Sequence, residues 1–318
     1  MSSQRSTTGS DGERAGASPD GLPPLREVIR GAGLSADKSL GQNFILDFNL
    51  TRRIARSPSS AGGSDPSAGP LTGRTVIEIG PGPGGLTRAL FLEGAAYVIA
   101  IERDERFRPA LEAIEKHYPG RLQLVFADAL EVDWHRLVAQ KEGRPIIIAN
   151  LPYNVATLLL IGWLETEPWP PWYLQMTLMF QKEVADRIMA EPGSKAYGRL
   201  SVIAQWRCQV ETVLQLKPEA FVPPPKVASS VVEFIPRQQL DPPCDVRAIG
   251  KVTAAAFGQR RKMLRQSLKA LTPFPELLLQ RTGIDPQRRG ETLSVAEFAS
   301  LAAALTGIAS QVGDAGAD

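Results

Sequence analysis

The stretch VIEIGPGPGGLTRAL, residues 76–90, decides the fold of this chain of 318 residues. It begins with an apolar, β-branched run, turns through four glycines and continues with helical periodicity. A buried strand, a glycine-rich turn and a helix in immediate succession are typical of a βα unit in an open α/β sheet, where glycines let the backbone approach a ligand closely. The stretch therefore predicts an α/β fold with a ligand site at the end of this strand.

The chain after this unit repeats the alternation of strands and helices. YVIAIE, LQLVFAD and RPIIIAN have the pattern of strands, and RFRPALEAIEKHY has that of a helix. We also expect a helix over TLMFQKEVADRIMA, residues 177–190, and a strand over SSVVEFIP, residues 229–236. Alternation of this kind predicts βαβ units, and therefore a Rossmann-like, mostly parallel sheet that is covered by helices on both faces.

The predicted domain organisation has four parts. Residues 1–24 are rich in Ser, Gly and charge and predict a disordered tail, 25–236 form the α/β domain, 237–310 a small all-helical domain, and 311–318 a flexible C-terminus. Within the first domain, residues 58–73 predict a Gly/Ser/Pro-rich surface loop. The tail lacks the apolar segment of a secretory signal, and its three acids argue against a mitochondrial transit peptide.

Composition and charge exclude several classes of function. The content of 43% hydrophobic and 22% charged residues is that of a soluble globular protein, and no apolar run reaches the roughly 20 residues that span a bilayer. The two cysteines and two histidines occur singly, so we expect a reducing, cytoplasmic location, no metal site and no Ser–His or Cys–His nucleophile. The net charge is only +2, but residues 247–269 hold seven cations and no acid, which favours a polyanionic partner.

Successive predicted strands end in residues suited to binding a cofactor that contains adenosine. The glycine-rich turn follows the first strand, and Glu102, Asp128 and Asn150 end the next three. Glu102 can accept hydrogen bonds from both ribose hydroxyls. Asp128 can accept one from the adenine amine, although an Asp here is also a common helix N-cap. The glycine spacing alone also fits a nicotinamide cofactor. The ordered series favours S-adenosylmethionine, and we find no residues suited to hydride transfer.

The sequence NLPY, residues 150–153, suits methylation of an amino group on a planar base. The enzyme must position the amine and hold its hydrogens on acceptors, so that the nitrogen lone pair points at the methyl group. The side-chain oxygen of Asn150 and a backbone carbonyl at Leu151 or Pro152 are suitable acceptors. Proline fixes this backbone, and Tyr153 offers a face on which an extruded base can stack. The alternative is a simple strand-to-helix turn with proline as a breaker.

Together these motifs make the sequence resemble the ribosomal RNA adenine dimethyltransferases of the bacterial kasugamycin-resistance type. The resemblance covers almost all of residues 35–300 and rests on KSLGQNFILD, VIEIGPGPGGLTRAL, IERD, DAL, NLPYNVAT, MFQKEVADRI, FVPPPKVASSVV and AAFGQRRKMLRQSLK. It implies an enzyme dependent on S-adenosylmethionine that forms N6,N6-dimethyladenosine at two adjacent adenines near the 3′ end of 16S rRNA, acting on the 30S subunit or its precursor.

The resemblance also implies a role for particular residues. The expected cofactor-binding residues are Asn43, Ile45, Gly80, Gly82, Glu102, Asp128 and Asn150. The expected target-adenine site consists of Asn150, Leu151, Pro152, Tyr153 and Phe221, where a core aromatic is the alternative for Phe221. Contacts with RNA phosphates are expected from Arg260, Arg261, Lys262, Arg265 and Lys269. Arg261 and Arg265, at i and i+4, are expected on one helix face, and a solvated helix is the alternative there.

Two other functions remain open from the sequence. A resistance-type methyltransferase acting on large-subunit rRNA has similar motifs, and its exclusion rests on AAFGQRRKMLRQSL and GETLSVAEFASLA in the helical part. An RNA-binding assembly factor without catalysis is the second alternative, against which the intact Gly80, Glu102, Asp128 and NLPY set argues. A monomer is the simplest expectation, and a role in checking small-subunit maturation is a hypothesis carried by the resemblance.

Overall fold

The computed structural model describes residues 18–37, 41–59 and 69–314, and side chains as far as residue 307. Its strands are β1 (Phe44–Ile45), β2 (Thr75–Ile79), β3 (Tyr97–Glu102), β4 (Leu122–Phe126), β5 (Ile146–Ala149), β6 (Gln175–Gln181), β7 (Cys208–Leu216), β8 (Phe221–Val222) and β9 (Ser229–Pro236). Its α-helices are α1 (Leu25–Gly31), α2 (Phe48–Ala55), α3 (Gly85–Leu92), α4 (Arg108–His117), α5 (Trp134–Val138), α6 (Ala156–Leu164), α7 (Lys182–Ile188), α8 (Arg199–Arg207), α9 (Val246–Gly258), α10 (Leu264–Ser267), α11 (Pro275–Thr282) and α12 (Val295–Asp314).

A seven-stranded sheet positions everything else in the first domain. Its strand order is β4-β3-β2-β5-β6-β9-β7, in which the first five strands are parallel and β9 pairs antiparallel with both β6 and β7. Chain order reverses between β2 and β5, and a ligand crevice opens at such a point, outside the carboxyl ends of the strands. The predicted Rossmann-like sheet and the helical C-terminal part are therefore confirmed. A short antiparallel ribbon of β1 and β8 lies beside the sheet.

Alternating residues of the strands divide the apolar core between the two faces of the sheet. Val76 and Val98 belong to one buried cluster, whereas their neighbours Ile77 and Ile99 belong to the other. This is the period of two that a strand imposes when both faces are covered. Burial on both faces explains why these strands appear as uninterrupted apolar runs in the sequence.

The helical part shares its core with α8 of the preceding domain. A third cluster joins Tyr197, Val202 and Trp206, from the region of α8, to Ile249 of α9 and Phe298 of α12. The proposed boundary at residue 237 is therefore a boundary in the chain but not in the packing. No helix within the described ranges is long and apolar enough to cross a membrane.

The prediction of a single helix over residues 177–190 is wrong. Residues 177–181 belong to β6, and the helix α7 begins only at Lys182. The first half of the segment is an apolar run buried between β5 and β9, and such a run does not distinguish a buried strand from a buried helix.

Part of the tail predicted over residues 1–24 is packed against the first domain. Residues 1–17 lie outside the described part of the chain, but Asp20 makes a buried ion pair with Arg88 of α3. Arg88 donates from both Nε and Nη2 to this carboxylate, each at 2.6 Å. A paired carboxylate of this kind fixes residues 18–24 on the first domain, so this part of the predicted tail is wrong.

The predicted surface loop and the predicted flexible C-terminus lie partly outside the described residues. Of the loop predicted over 58–73, residues 60–68 are not described, and the remainder leads back to the sheet through a bridge between Thr72 and Ala95. At the C-terminus, α12 extends to Asp314, so the segment predicted as flexible overlaps the end of this helix, and residues 315–318 are not described.

Candidate active site

The glycine-rich turn between β2 and α3 lines a cavity at the carboxyl edge of the sheet. Gly80, Gly82 and Gly84 have φ values of 67°, 55° and 88°, a region that glycine adopts without strain. A Cβ atom at Gly85 would lie 2.8 Å from Leu25, so α3 begins in close contact with α1. The turn therefore brings its backbone close to the cavity, together with the rings of Pro81 and Pro83, which suits a closely packed ligand.

The carboxylate of Glu102 is held at the end of β3 by two backbone amides. Its Oε2 accepts a hydrogen bond from Gly82 N at 2.9 Å, and its Oε1 accepts one from Asp104 N at 2.8 Å. Burial raises the pKa of Glu102 above its ordinary value. Each carboxylate oxygen has a further lone pair, and two such acceptors side by side fit the two hydroxyls of a ribose.

Asp128 lines the same cavity after β4 and also stabilises its own turn. Its Oδ1 accepts from Leu130 N at 3.0 Å, and its Oδ2 lies 3.1 Å from Nη1 of the exposed Arg103. The turn role and the adenine-binding role are compatible because the turn uses only one of the two oxygens. Asp128 thus keeps one oxygen for an exocyclic amine, in competition with a solvated arginine.

The segment 41–45 is tied to the loop after β3. Gln42 Nε2 donates to Oδ2 of Asp104 at 2.9 Å, and pairing with Arg106 lowers the pKa of Asp104 to about 2. Asp104 is therefore ionised at neutral pH and remains an acceptor. Asn43 and Ile45 both line the cavity, so the structure brings these two predicted cofactor residues to the same place as the glycine-rich turn.

The side chain of Asn150 has a fixed orientation. It follows β5 and lines the cavity, and its Nδ2 donates to the backbone carbonyl of Asn43 at 3.1 Å. Because a carbonyl can only accept, this contact fixes which end of the amide is the nitrogen. The Oδ1 atom is left as an acceptor for another group.

Hydrogen bonds within the NLPY segment distinguish the two candidate carbonyls, those of Leu151 and Pro152. The carbonyl of Pro152 accepts from Val155 N at 3.1 Å and from Ala156 N at 3.0 Å, which begins α6. Both of its lone pairs are thereby used. Of the two carbonyls that the sequence leaves open, the geometry therefore favours that of Leu151 as the second acceptor beside Asn150.

Tyr153 lines the cavity, whereas Phe221 does not. The Tyr153 hydroxyl lies 2.8 Å from Oγ of Ser229, and burial raises the pKa of this tyrosine. The Phe221 side chain is only 1% exposed and belongs to the core cluster that also contains Ile45, its partner in the β1–β8 ribbon. The described position of Phe221 is that of the core alternative, and a stacking role for it stays a prediction.

Glu78 is absent from the predicted site but lines the cavity beneath the glycine-rich turn. Its side chain is 2% exposed, and Thr87 donates its hydroxyl to Oε2 at 2.6 Å. Burial raises the pKa of Glu78 to about 8, and the nearby Glu102 acts in the same direction. The signal was present in the sequence as an acid inside an otherwise apolar strand.

The predicted RNA-binding cations lie on the surface of the helical part, but not on one helix. Helix α9 ends at Gly258, residues 259–263 form a turn, and Arg265 lies in the separate short helix α10. The prediction that Arg261 and Arg265 share one helix face is therefore wrong. Exposed Gly258 and Gln259 end α9 before the cationic run begins.

The cations differ in their availability for RNA. Arg260 lies 3.5 Å from Glu291, whereas no ion pair within the described part of the chain involves Arg261, Lys262, Arg265 or Lys269, which are all exposed. A bridge between Met263 and Arg289 adds another exposed arginine beside the turn. Sequence reasoning missed Arg289 because only the folded chain brings it there.

The cysteines and the acidic side chains of the described ranges do not form a metal site. There, no group of three or more His, Cys, Asp and Glu side chains could hold a metal ion. Cys208 is buried and Cys244 partly buried, both as free thiols, and burial raises the pKa of each.

Comparisons with known proteins point to one family. A sequence model of the family described as "Ribosomal RNA adenine dimethylase" matches residues 33–306. The protein is 57% identical over 296 residues to "Ribosomal RNA small subunit methyltransferase A" of Xanthobacter autotrophicus, covering 93% of this chain and 98% of the relative. It is 58% identical over 287 residues to the protein of the same description from Bradyrhizobium sp. strain BTAi1, covering 90% and 96% of the two chains.

Solved structures share the fold at lower sequence identity. A dimethyladenosine transferase from Plasmodium falciparum matches with a TM-score of 0.63 and 23% identity, over 80% of this chain and 94% of the other. The 23S rRNA methyltransferase ErmE matches with a TM-score of 0.60 and 22% identity, over 83% and 100% of the two chains. These two likenesses support the fold.

Proposed function

The chain belongs to the ribosomal RNA adenine dimethylase family, and from this membership we propose that it dimethylates the N6 amines of two adjacent adenines near the 3′ end of 16S rRNA. The family predicted from the motifs is thereby confirmed, as are the methyltransferase activity and its cofactor, S-adenosylmethionine. Membership also excludes the nicotinamide oxidoreductase that the glycine spacing alone leaves open.

The residues around the cavity fit S-adenosylmethionine. A glycine-rich turn, a pair of carboxylate oxygens on Glu102 and the Asp128 oxygen that faces the exposed Arg103 are what the methionine, ribose and adenine parts of such a molecule require. When bound, the cofactor supplies a sulfonium methyl group with a good leaving group. We assign its binding to Asn43, Ile45, Gly80, Gly82, Glu102, Asp128 and Asn150, as the sequence predicts.

The orientation of Asn150 is the observation that supports the chemistry most directly. Because Nδ2 is bound to Asn43, Oδ1 can accept one hydrogen of the adenine amine, and the carbonyl of Leu151 can accept the other. An amine held by two acceptors directs its nitrogen lone pair out of the base plane, towards a methyl donor. The proton leaves only after the new bond to nitrogen forms, so the site does not require a strong base.

We assign the flipped base to the neighbourhood of Tyr153. Its ring lies at the cavity, immediately after the acceptors, where it can stack on an adenine taken out of the RNA. Pro152 supports this arrangement because its carbonyl begins α6 and its ring lies 3.4 Å from the Cβ position of Gly80.

The proposed partner is 16S rRNA within the 30S subunit or its precursor. Arg261, Lys262, Arg265 and Lys269 are exposed cations without a protein ion pair in the described structure, which suits contacts with phosphates. Arg260, although paired with Glu291, borders the same turn. We propose that the protein acts as a monomer in the cytoplasm, where it meets small-subunit particles.

Two alternatives are weighed against this proposal. The relatives described as acting on the small subunit are 57% and 58% identical, whereas the large-subunit enzyme ErmE is 22% identical, which favours the small subunit. A non-catalytic assembly factor has no need for an oriented Asn150 or for a carboxylate fixed as Glu102 is fixed, so the geometry favours an enzyme.

The deciding experiment measures methyl transfer from labelled S-adenosylmethionine to unmethylated 30S particles. Mature 50S particles and naked DNA serve as controls, and the modified nucleoside is identified by mass. Dimethyladenosine in 16S rRNA alone is the expected result. Label in large-subunit RNA would support the resistance-type enzyme, and tight binding to 30S particles without transfer would support the assembly factor.

A further inference from the structure

A hydrogen bond joins the tyrosine of the target site to a serine far away in the sequence. Tyr153 Oη and Ser229 Oγ lie 2.8 Å apart although 76 residues separate them. Ser229 is fully buried. Within the described part of the chain, neither hydroxyl has another hydrogen bond.

Ser229 is a rigid point of attachment. It is the first residue of β9, where its Cα pairs with that of Gln181 in β6 on one side and with that of Leu216 in β7 on the other. Strands alternate their faces, so the Ser229 side chain lies on the same face as Val231, and Ser230 lies on the opposite face with Val232. A strand held on both sides leaves the Ser229 hydroxyl little freedom.

Both ends of the Tyr153 side chain are therefore fixed. The backbone end follows Pro152, whose carbonyl is bound by the first turn of α6, and the hydroxyl end is bound by Ser229. A swing of the ring about its first side-chain torsion would break the bond to Ser229. The plane on which a base can stack is thus set by a strand that does not itself line the cavity.

From this geometry we propose that Ser229 is a positioning residue of the methyl-transfer site, which acts by holding the ring of Tyr153 against the target adenine. This inference rests on the proposed function. Ser229 makes no bond to the base and moves no proton. Its effect is to keep the amine in line with the methyl donor during both transfers, including the second, when the amine already carries one methyl group.

The test is a double-mutant cycle in the full-length protein. Ser229→Ala and Tyr153→Phe each remove the hydrogen bond from a different side, and the second variant keeps the aromatic ring. Each should lower kcat roughly tenfold, as expected for the loss of one buried hydrogen bond. The double variant should also lose roughly tenfold, because the same interaction is removed in all three.

Further measurements separate positioning from a merely structural role. KM for S-adenosylmethionine and the affinity for 30S particles should stay unchanged, and the ratio of monomethyl to dimethyl product should rise. Ser230→Ala is the matched control, because it removes a neighbouring buried hydroxyl from the opposite face of β9, and it should retain wild-type kcat.

The proposal would be overturned if the decrease in kcat of the double variant were the product of the two single decreases. An unchanged kcat in Tyr153→Phe would also overturn it. Tyr153→Phe alone decides the matter should Ser229→Ala fail to fold. Absence of transfer by the wild-type protein would instead refute the proposed function, so the two failures are distinguishable.

Discussion

At the scale of the residue, the role proposed for Asn150 predicts that its replacement separates RNA binding from methyl transfer. Asn150→Ala removes one of the two proposed hydrogen-bond acceptors for the adenine amine. It leaves the carbonyl of Leu151 and the cationic surface intact. We expect kcat to fall by at least about 100-fold, because the amine loses its alignment, while affinity for 30S particles is retained. Single-turnover methyl transfer and filter binding measure the two effects.

The control for this prediction is Asn49→Ala, which changes an exposed asparagine in α2 that does not line the cavity. It should behave like the wild type in both assays. Normal turnover by Asn150→Ala would contradict the proposed role of the amide oxygen.

The raised pKa of Glu78 predicts that the stability of the cofactor-free protein depends on pH. Its pKa is raised from 4.5 to about 8, so the unfolded chain ionises this carboxyl at a lower pH than the folded protein does. The stabilisation is complete below pH 4.5, declines by up to about 1.4 kcal/mol per pH unit, and is lost above about pH 8. Urea unfolding of wild type and Glu78→Gln between pH 5 and 8 measures the difference.

The variant Glu78→Gln keeps the shape of the side chain without its ionisation. Its free energy of unfolding should therefore decline less with pH than that of the wild type. Parallel curves would show that Glu78 does not titrate in this range.

At the scale of the element, the ion pair between Asp20 and Arg88 attaches the N-terminal segment to α3. Both side chains are buried, so Asp20→Asn leaves an uncompensated charge in the interior. We expect the free energy of unfolding to fall by about 3 kcal/mol, measured in urea. Asp186→Asn breaks the exposed pair with Lys182 and should cost at most about 1 kcal/mol. Equal effects would mean that the buried pair adds no more to stability than an exposed one.

The turn at residues 259–263 and the start of α10 should carry much of the salt dependence of RNA binding. Replacement of Arg261 and Arg265 by Gln removes two exposed cations without an internal partner. The slope of log affinity against log salt should decrease by about 1 for each phosphate that is no longer bound by a cation. Arg53→Gln with Lys116→Gln, two exposed cations of the first domain, is the matched control. An unchanged slope would remove this turn from the interface.

At the scale of the whole molecule, the shared core predicts that the two domains unfold together. Tyr197 and Trp206 pack with α9 and α12, so separation at residue 237 would expose large apolar side chains on both pieces. We expect one thermal transition for the full chain and no cooperative transition for residues 237–318 alone. Calorimetry measures both, and two resolved transitions in the full chain would contradict the prediction.

The arrangement of the whole chain explains which parts of the fold and of the site can be predicted from the sequence. Carboxyl ends of parallel strands meet at one edge, so the order of strands alone brings Glu102, Asp128 and Asn150 together. The pairs Asp20–Arg88 and Tyr153–Ser229 depend on the folded chain, and no local pattern indicates them. Apolar residues in 177–181 fit a strand or a helix equally well, and only their place between two other strands decides between these structures.

The hydrogen bond from Asn150 to the backbone of Asn43 has a consequence for the order of events. Asn43 belongs to the segment assigned to the cofactor, and Asn150 is proposed to hold the base, so one hydrogen bond joins the two proposed sites. A ligand that stabilises residues 41–45 also stabilises the orientation of the amide, and so increases affinity for the other ligand. By thermodynamic reciprocity, the RNA strengthens cofactor binding by the same factor. We therefore expect the methyl donor and the base to bind cooperatively.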